Sequence, residues 1–161
     1  MKLLRTIRFD ASDSHVYARA ASPDEWAVPG GFEFAGSDTA ERTGKTRQAF
    51  ANGFLGLTSF GRCTFATVSE ILPDELALAE QALAQHFIDT YGAPDLVAAR
   101  PEAQAEIGFA IDLCQDMPIN TVLTLRRTID ASGQIREEFR TINAPTGEPQ
   151  HARIWTITDE A

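Results

Sequence analysis

Thr43-Gly44-Lys45-Thr46 ends like a phosphate-binding P-loop, in which backbone amides wrap a phosphate and a lysine reaches it. That motif requires a glycine five residues before its Gly-Lys-Thr, and position 39 is threonine. No buried strand leads in, so Lys45 reads as a loop lysine rather than a nucleotide ligand. Leu57-Thr58-Ser59-Phe60-Gly61 resembles a nucleophile elbow without its first glycine, and no strand–turn–helix context surrounds it. Ser59 is therefore expected in an ordinary turn.

Metal and acid–base chemistry fare no better. The three histidines, His15, His86 and His151, lack the partner spacing of helical metal motifs. His86 has one acid nearby on its own helix, Asp89. Glu102, Glu106, Asp112 and Asp116 fall within one helical segment, and such carboxylates hold a hard cation only when geometry converges. Cys63 and Cys114 are far apart and sit among apolar neighbours, which predicts two reduced, buried thiols. No catalytic residue, cofactor-binding residue, metal ligand or cofactor is assigned.

Ten Phe, two Tyr and two Trp supply the remaining candidate surface. Phe32, Phe34, Phe50, Phe54, Phe60 and Phe65 lie near glycines. They suit a Phe-rich core, with an apolar pocket between sheet and helices as the alternative.

The elements that must position these residues follow from pattern. Residues 2–9 alternate as a strand. Residues 10–14 form a turn cluster, and residues 15–19 read as a short strand. Trp26-Ala27-Val28 is extended, and Pro29 marks an edge or bend. Residues 36–45 read as a loop or one short helical turn. In residues 46–58, Asn52-Gly53 favours a hairpin, with a helix through Phe50, Phe54 and Leu57 as the competitor. Residues 63–71 form a further strand.

Pro73-Asp74-Glu75 opens a helix whose stripe is Leu76, Ala79, Leu83, Phe87 and Tyr91, and Gly92 ends it. A second helix is expected over residues 101–116. One stripe, Ala105, Phe109 and Leu113, is widened by Ile107, Ala110 and Cys114. Residues 121–129, 135–142 and 153–158 are β, making a C-terminal three-stranded meander. The order predicts an α+β fold: two central helices on one face of a curved antiparallel sheet, in a single domain over residues 1–161.

Charge is uneven. The chain of 161 residues has a net charge of -9, and residues 73–116 hold nine acids against Arg100 alone. Net acidity repels phosphate, which argues against a nucleic-acid partner. No run approaches the ~18 apolar residues of a membrane span, and the first residues predict no signal peptide. Cytoplasm is the expected location. Arg126, Arg127, Arg136, Arg140 and Arg153 cluster in the last strands and should pair with Glu137 and Glu138.

The run from Thr43 to Leu57, together with Ser59-Phe60-Gly61-Arg62 and the opening residues 2–10, resembles a small uncharacterised family from alphaproteobacteria. That resemblance implies a bacterial origin and brings no activity or site residues. The expectation is a non-catalytic binding or accessory protein with a protein partner or self-association. The alternative is a small-molecule enzyme or ligand carrier using the apolar pocket.

Overall fold

The computed structural model describes residues 1–8, 11–35 and 44–142. Seven antiparallel strands form one curled sheet in the order β4-β3-β2-β1-β5-β6-β7. They are β1 (Lys2–Ile7), β2 (Trp26–Val28), β3 (Phe54–Gly56), β4 (Arg62–Cys63), β5 (Phe65–Glu70), β6 (Val122–Ile129) and β7 (Ile135–Ile142). The helices are α1 (Ser12–Val16), α2 (Gly44–Asn52), α3 (Pro73–Tyr91) and α4 (Leu96–Cys114). The α+β architecture expected from the sequence is the one observed. Of the three C-terminal strands, β6 and β7 pair along their full lengths. The strand expected at 153–158 lies outside the described residues.

β1 is central, paired with β2 on one side and β5 on the other. Adjacent residues of a strand face opposite sides of a sheet. Leu3 and Leu4 are both fully buried, so here the sheet is covered on both faces. Lys2 sends Nζ to the Met117 carbonyl at 2.7 Å, just past the end of α4, where a cation answers unpaired carbonyls.

α3 starts and stops where its sequence says. Pro73 is its first residue, Glu75 reaches back to the Leu72 amide at 3.0 Å, and Gly92 ends it in the left-handed region. Leu83 is fully buried in the core with Ala79 and Ala84, worth roughly 1.5–3 kcal/mol for a leucine of this burial.

Four local expectations are corrected. Residues 12–16 are helical rather than a turn, and α1 occupies the start of the strand expected at 15–19. Its following residue, Tyr17, is held by the Thr64 hydroxyl at 2.8 Å. The Asn52-Gly53 pair is not a hairpin turn. α2 runs to Asn52, and the Gly53 amide donates to the Ala49 carbonyl at 3.0 Å, closing the last helical turn. α4 begins five residues before Pro101, because Asp95 caps it by accepting from the Ala98 amide at 2.9 Å. Its buried face is Ala99, Ala103, Ile107, Ala110 and Cys114, while Ala105 and Phe109 are exposed. The expected main stripe is thus the outer flank, and the residues expected to widen it form the core face.

Candidate functional site

Two arginines are buried in the sheet, Arg62 on β4 and Arg127 on β6. A buried guanidinium is tolerated only when its donors and charge are answered. Arg62 donates to the carbonyls of Pro29 at 3.2 Å, Gly53 at 3.0 Å and Gly30 at 3.0 Å, and to Glu33 Oε1 at 2.7 Å. Arg127 donates to the carbonyls of Phe50 and Gly53, both at 3.0 Å, to the Pro29 carbonyl, and through Nε to Glu137 at 2.8 Å. The last carbonyls of a helix have no partner within it, and Arg127 supplies one to the end of α2. Both guanidiniums also lie against the Phe34 ring, 4.6 and 5.3 Å from its centroid. Burial, and then the neighbouring Arg62 charge, bring the Arg127 guanidinium down to about 10 against the pull of Glu137.

The turn that carries Glu33 is built on Gly30. Its φ is 73°, and a Cβ there would come within 2.5 Å of the Leu55 side chain. The chain then makes one 3-10 turn, Gly31–Phe34, with Glu33 inside it. Glu33 is a crowded carboxylate. Its Oε2 accepts from Tyr91 Oη at 2.6 Å and lies 3.0 Å from His86 Nε2, while Oε1 meets Arg62. Burial pushes the Glu33 carboxyl up, but the hydrogen bonds from Tyr91 and His86 and the Arg62 charge outweigh it, and the net shift is down. Burial and the bond to Glu33 push the Tyr91 hydroxyl up.

The His86 ring stacks flat on Phe60, centroids 3.8 Å apart and planes 4° from parallel. Phe60 adopts φ 55°, a left-handed conformation that costs a bulky residue of order 1–3 kcal/mol. The turn beneath it is held by Glu25, which accepts from the amides of Ser22, Thr58 and Ser59 and from the Ser59 hydroxyl at 2.7 Å.

Phe60 separates two concavities. One, of about 450 Å³, runs between α3 and the turn after β3. Its walls are Trp26, Leu57, Phe60, Leu78, Ala79 and Ala82, with Thr58 and Glu75 its polar members. Leu78 is 68% exposed. Arg5 stacks 4.0 Å over the Trp26 ring and lies 4.0 Å from Glu75. The other, of about 260 Å³, is polar and holds Tyr17, Arg19, Lys45, Thr46, Arg62 and Tyr91, with Glu33 among them. Arg19 and Lys45 are exposed there.

The residues singled out by spacing have other roles. Lys45 lies in the first turn of α2 at the polar cleft; its neighbour Thr43 lies outside the described residues. Ser59 is bonded to Glu25 and meets no imidazole among the described residues, which makes it a turn serine. His86 meets Glu33 rather than Asp89, which instead accepts from Gln85 at 2.9 Å. His15 is exposed, and His151 lies outside the described residues. Glu102, Asp112 and Asp116 are exposed, and Glu106 is half-buried, its carboxyl raised by burial and by Glu137. Among the described residues no group of three or more His, Cys, Asp or Glu converges as metal ligands. Cys63 and Cys114 are free and buried, as expected. Of the six nominated phenylalanines, Phe34 and Phe60 line the polar cleft, and Phe60 also walls the apolar one. The expected cross-strand pairing holds for Arg127 with Glu137, while Arg136 turns to Asp130 at 3.0 Å.

The sequence does not mark Glu33, Arg62, Tyr91 or Glu25 as site residues, and Tyr91, expected on the apolar stripe of α3, is 46% exposed with its hydroxyl on Glu33. A lone arginine in an apolar strand and a glutamate between two phenylalanines were the available signals, since each must find a partner to be buried.

The chain belongs to a family of unknown function, DUF6505, whose model it matches over residues 1–159. Comparison with curated proteins gave no match, and comparison with solved structures gave none. No helix among the described residues is long and apolar enough to cross a membrane.

Proposed function

We propose that the protein is a non-catalytic binding protein whose ligand is an amphipathic organic anion. The observation that carries this reading is the pair of concavities that meet at Phe60. An apolar groove and a cleft with two exposed cations share Phe60 as a wall, which suits a ligand with an apolar body and an anionic head. The chain is strongly acidic overall, so Arg19 and Lys45 on one cleft stand out as an anion-attracting mouth.

Binding rather than turnover is favoured by how the polar groups are used. Glu33 is held by three donors, His86 has Nε2 on that carboxylate and Nδ1 3.4 Å from the Thr90 hydroxyl, and Ser59 is committed to Glu25. A general base or an activated nucleophile needs a free lone pair aimed at substrate.

The test uses two fluorescent probes of similar shape, anilinonaphthalene sulfonate and uncharged phenylnaphthylamine. Both should bind the native protein, with energy transfer from tryptophan. Leu78→Asp should weaken both, because it puts charge on the apolar wall. Arg19→Glu with Lys45→Glu should weaken the sulfonate several-fold and leave the uncharged probe unchanged. Absence of sulfonate binding, or binding indifferent to all three substitutions, would overturn the proposal.

A further inference from the structure

The apolar groove has a cation at the end remote from the polar cleft. Its α3 members, Glu75, Leu78, Ala79 and Ala82, recur at helical spacing, so the groove follows one face of that helix. The same face continues to His86, which stacks on Phe60. From Glu75 to His86 the helix rises about 16 Å, at about 1.5 Å per residue.

At the Glu75 end, Arg5 lies 4.0 Å over the ring of Trp26, a wall of the groove. Stacking uses the face of a guanidinium, whereas its N–H donors lie in the plane. Those donors go unanswered among the described residues. Nε is buried with no hydrogen-bond partner, and the contact to Glu75 Oε2, at 4.0 Å, is too long for a hydrogen bond. Glu75 is committed to the start of α3, its Oε1 accepting from the Leu72 amide at 3.0 Å. Arg62 and Arg127 differ, since carbonyls and carboxylates take up their guanidiniums. The Arg5 side chain is 29% exposed, which leaves it within reach of a molecule lying against Trp26. Unmet donors there cost free energy that a ligand's acceptors can recover.

We propose, resting on the amphipathic-anion reading of the two concavities, that Arg5 binds a carboxylate and that the ligand is an elongated dianion with an acid group at each end. One acid group meets the Arg5 fork beside Trp26. The apolar body follows α3 past Leu78 to Phe60, and the other acid group lies in the polar cleft with Arg19 and Lys45. A carboxylate suits the Arg5 end, because its two oxygens match one guanidinium fork and its single charge matches one cation. Trp26 sets the guanidinium plane before the ligand arrives, so less side-chain freedom is lost on binding.

The experiment displaces phenylnaphthylamine from the full chain with hexadecanedioate or with its monomethyl ester, followed by fluorescence. The diacid should compete at about tenfold lower concentration than the half-ester, the scale of a hydrogen bond to a charged group. Arg5→Met should abolish that advantage while changing the affinity of the half-ester and of the probe less than about twofold. Glu75→Gln keeps the start of α3, since glutamine serves equally at that position. It should tighten the diacid several-fold by removing the competing carboxylate, a gain that misfolding cannot mimic. Equal potency of diacid and half-ester, an advantage that survives Arg5→Met, or a Glu75→Gln variant that gains nothing overturns the dianion while phenylnaphthylamine and the sulfonate probe still bind. A native protein that binds neither probe overturns both readings.

Discussion

Arg62 and Arg127 share two acceptors: both guanidiniums donate to the carbonyls of Pro29 and of Gly53. Two like charges are thereby fastened to the same short pieces of backbone, the bend after β2 and the residue that follows α2. Glu33 and Glu137 answer one charge each. The pair ties the first and last parts of the sheet together beneath the polar cleft, which explains why cations sit where an apolar core would otherwise form.

Truncating one member should therefore be costly. Arg127→Met leaves Glu137 without its cation and removes the donor serving the Phe50 carbonyl. Breaking a buried pair from one side costs about 3–5 kcal/mol. Arg127→Lys should recover little, because an ammonium cannot span the fork of acceptors. Urea melts of the two variants check this, and a loss below about 1 kcal/mol for Arg127→Met would show that the clamp is ornamental.

Gly61 tests the turn that sets Phe60. A Cβ on Gly61 would lie 2.6 Å from the Ala20 carbonyl group, which is backbone and cannot swing aside. Gly61→Ala should destabilise the protein by about 1–3 kcal/mol through overpacking. It should also displace Phe60 and reduce binding of both fluorescent probes. Unchanged melting and probe affinity would place the two concavities' partition elsewhere.

How far the sequence could carry this depended on the range of the interactions. α3 was legible because its signals are local: Pro73 and acids at one end, Gly92 at the other, apolar residues at helical spacing between. α2 was misjudged because Asn52-Gly53 has strong turn chemistry, and what holds those residues helical is remote, with Arg127 on the terminal carbonyls. The start of α4 was missed because Pro101 looked like a first helical residue, whereas Asp95 caps the helix. The buried face of α4 is a separate matter: both flanks have apolar residues at helical spacing, and Phe109 reads as core until its neighbours are known. The site was less legible still. Glu33, Arg62 and His86 come together only through the sheet and α3, and no spacing rule links them.

Acid should loosen the cluster through Glu33. Its folded carboxyl titrates below the unfolded value of about 4.3. Its contribution to stability is present above that value and is lost as pH falls through the lower, folded one. Glu33→Gln should thus flatten the acid limb of the stability curve while lowering stability at neutral pH. Melting temperatures of both proteins from about pH 6 to about pH 3 provide the comparison. Parallel acid limbs would mean that Glu33 is not the carboxylate responsible.

At the alkaline end the sign reverses, because burial disfavours the charged form of an acid. Burial pushes the Cys63 thiol up to about 12, and the Tyr17 hydroxyl likewise to about 12. The unfolded chain ionises these groups from about pH 8.5 and about pH 10 respectively, while the folded chain keeps its protons. Stability is therefore whole below about pH 8.5 and falls as pH rises from there towards 12. Cys63→Ala should remove the thiol's share of that fall, at the cost of a small cavity in the core. The same burial makes both thiols slow nucleophiles, since the thiolate is the reactive form. Ellman's reagent at about pH 8 should leave Cys63 and Cys114 unmodified in the folded protein and titrate both once denaturant is added. Rapid modification of Cys63 in the native state would mean that β4 opens far more readily than its packing implies.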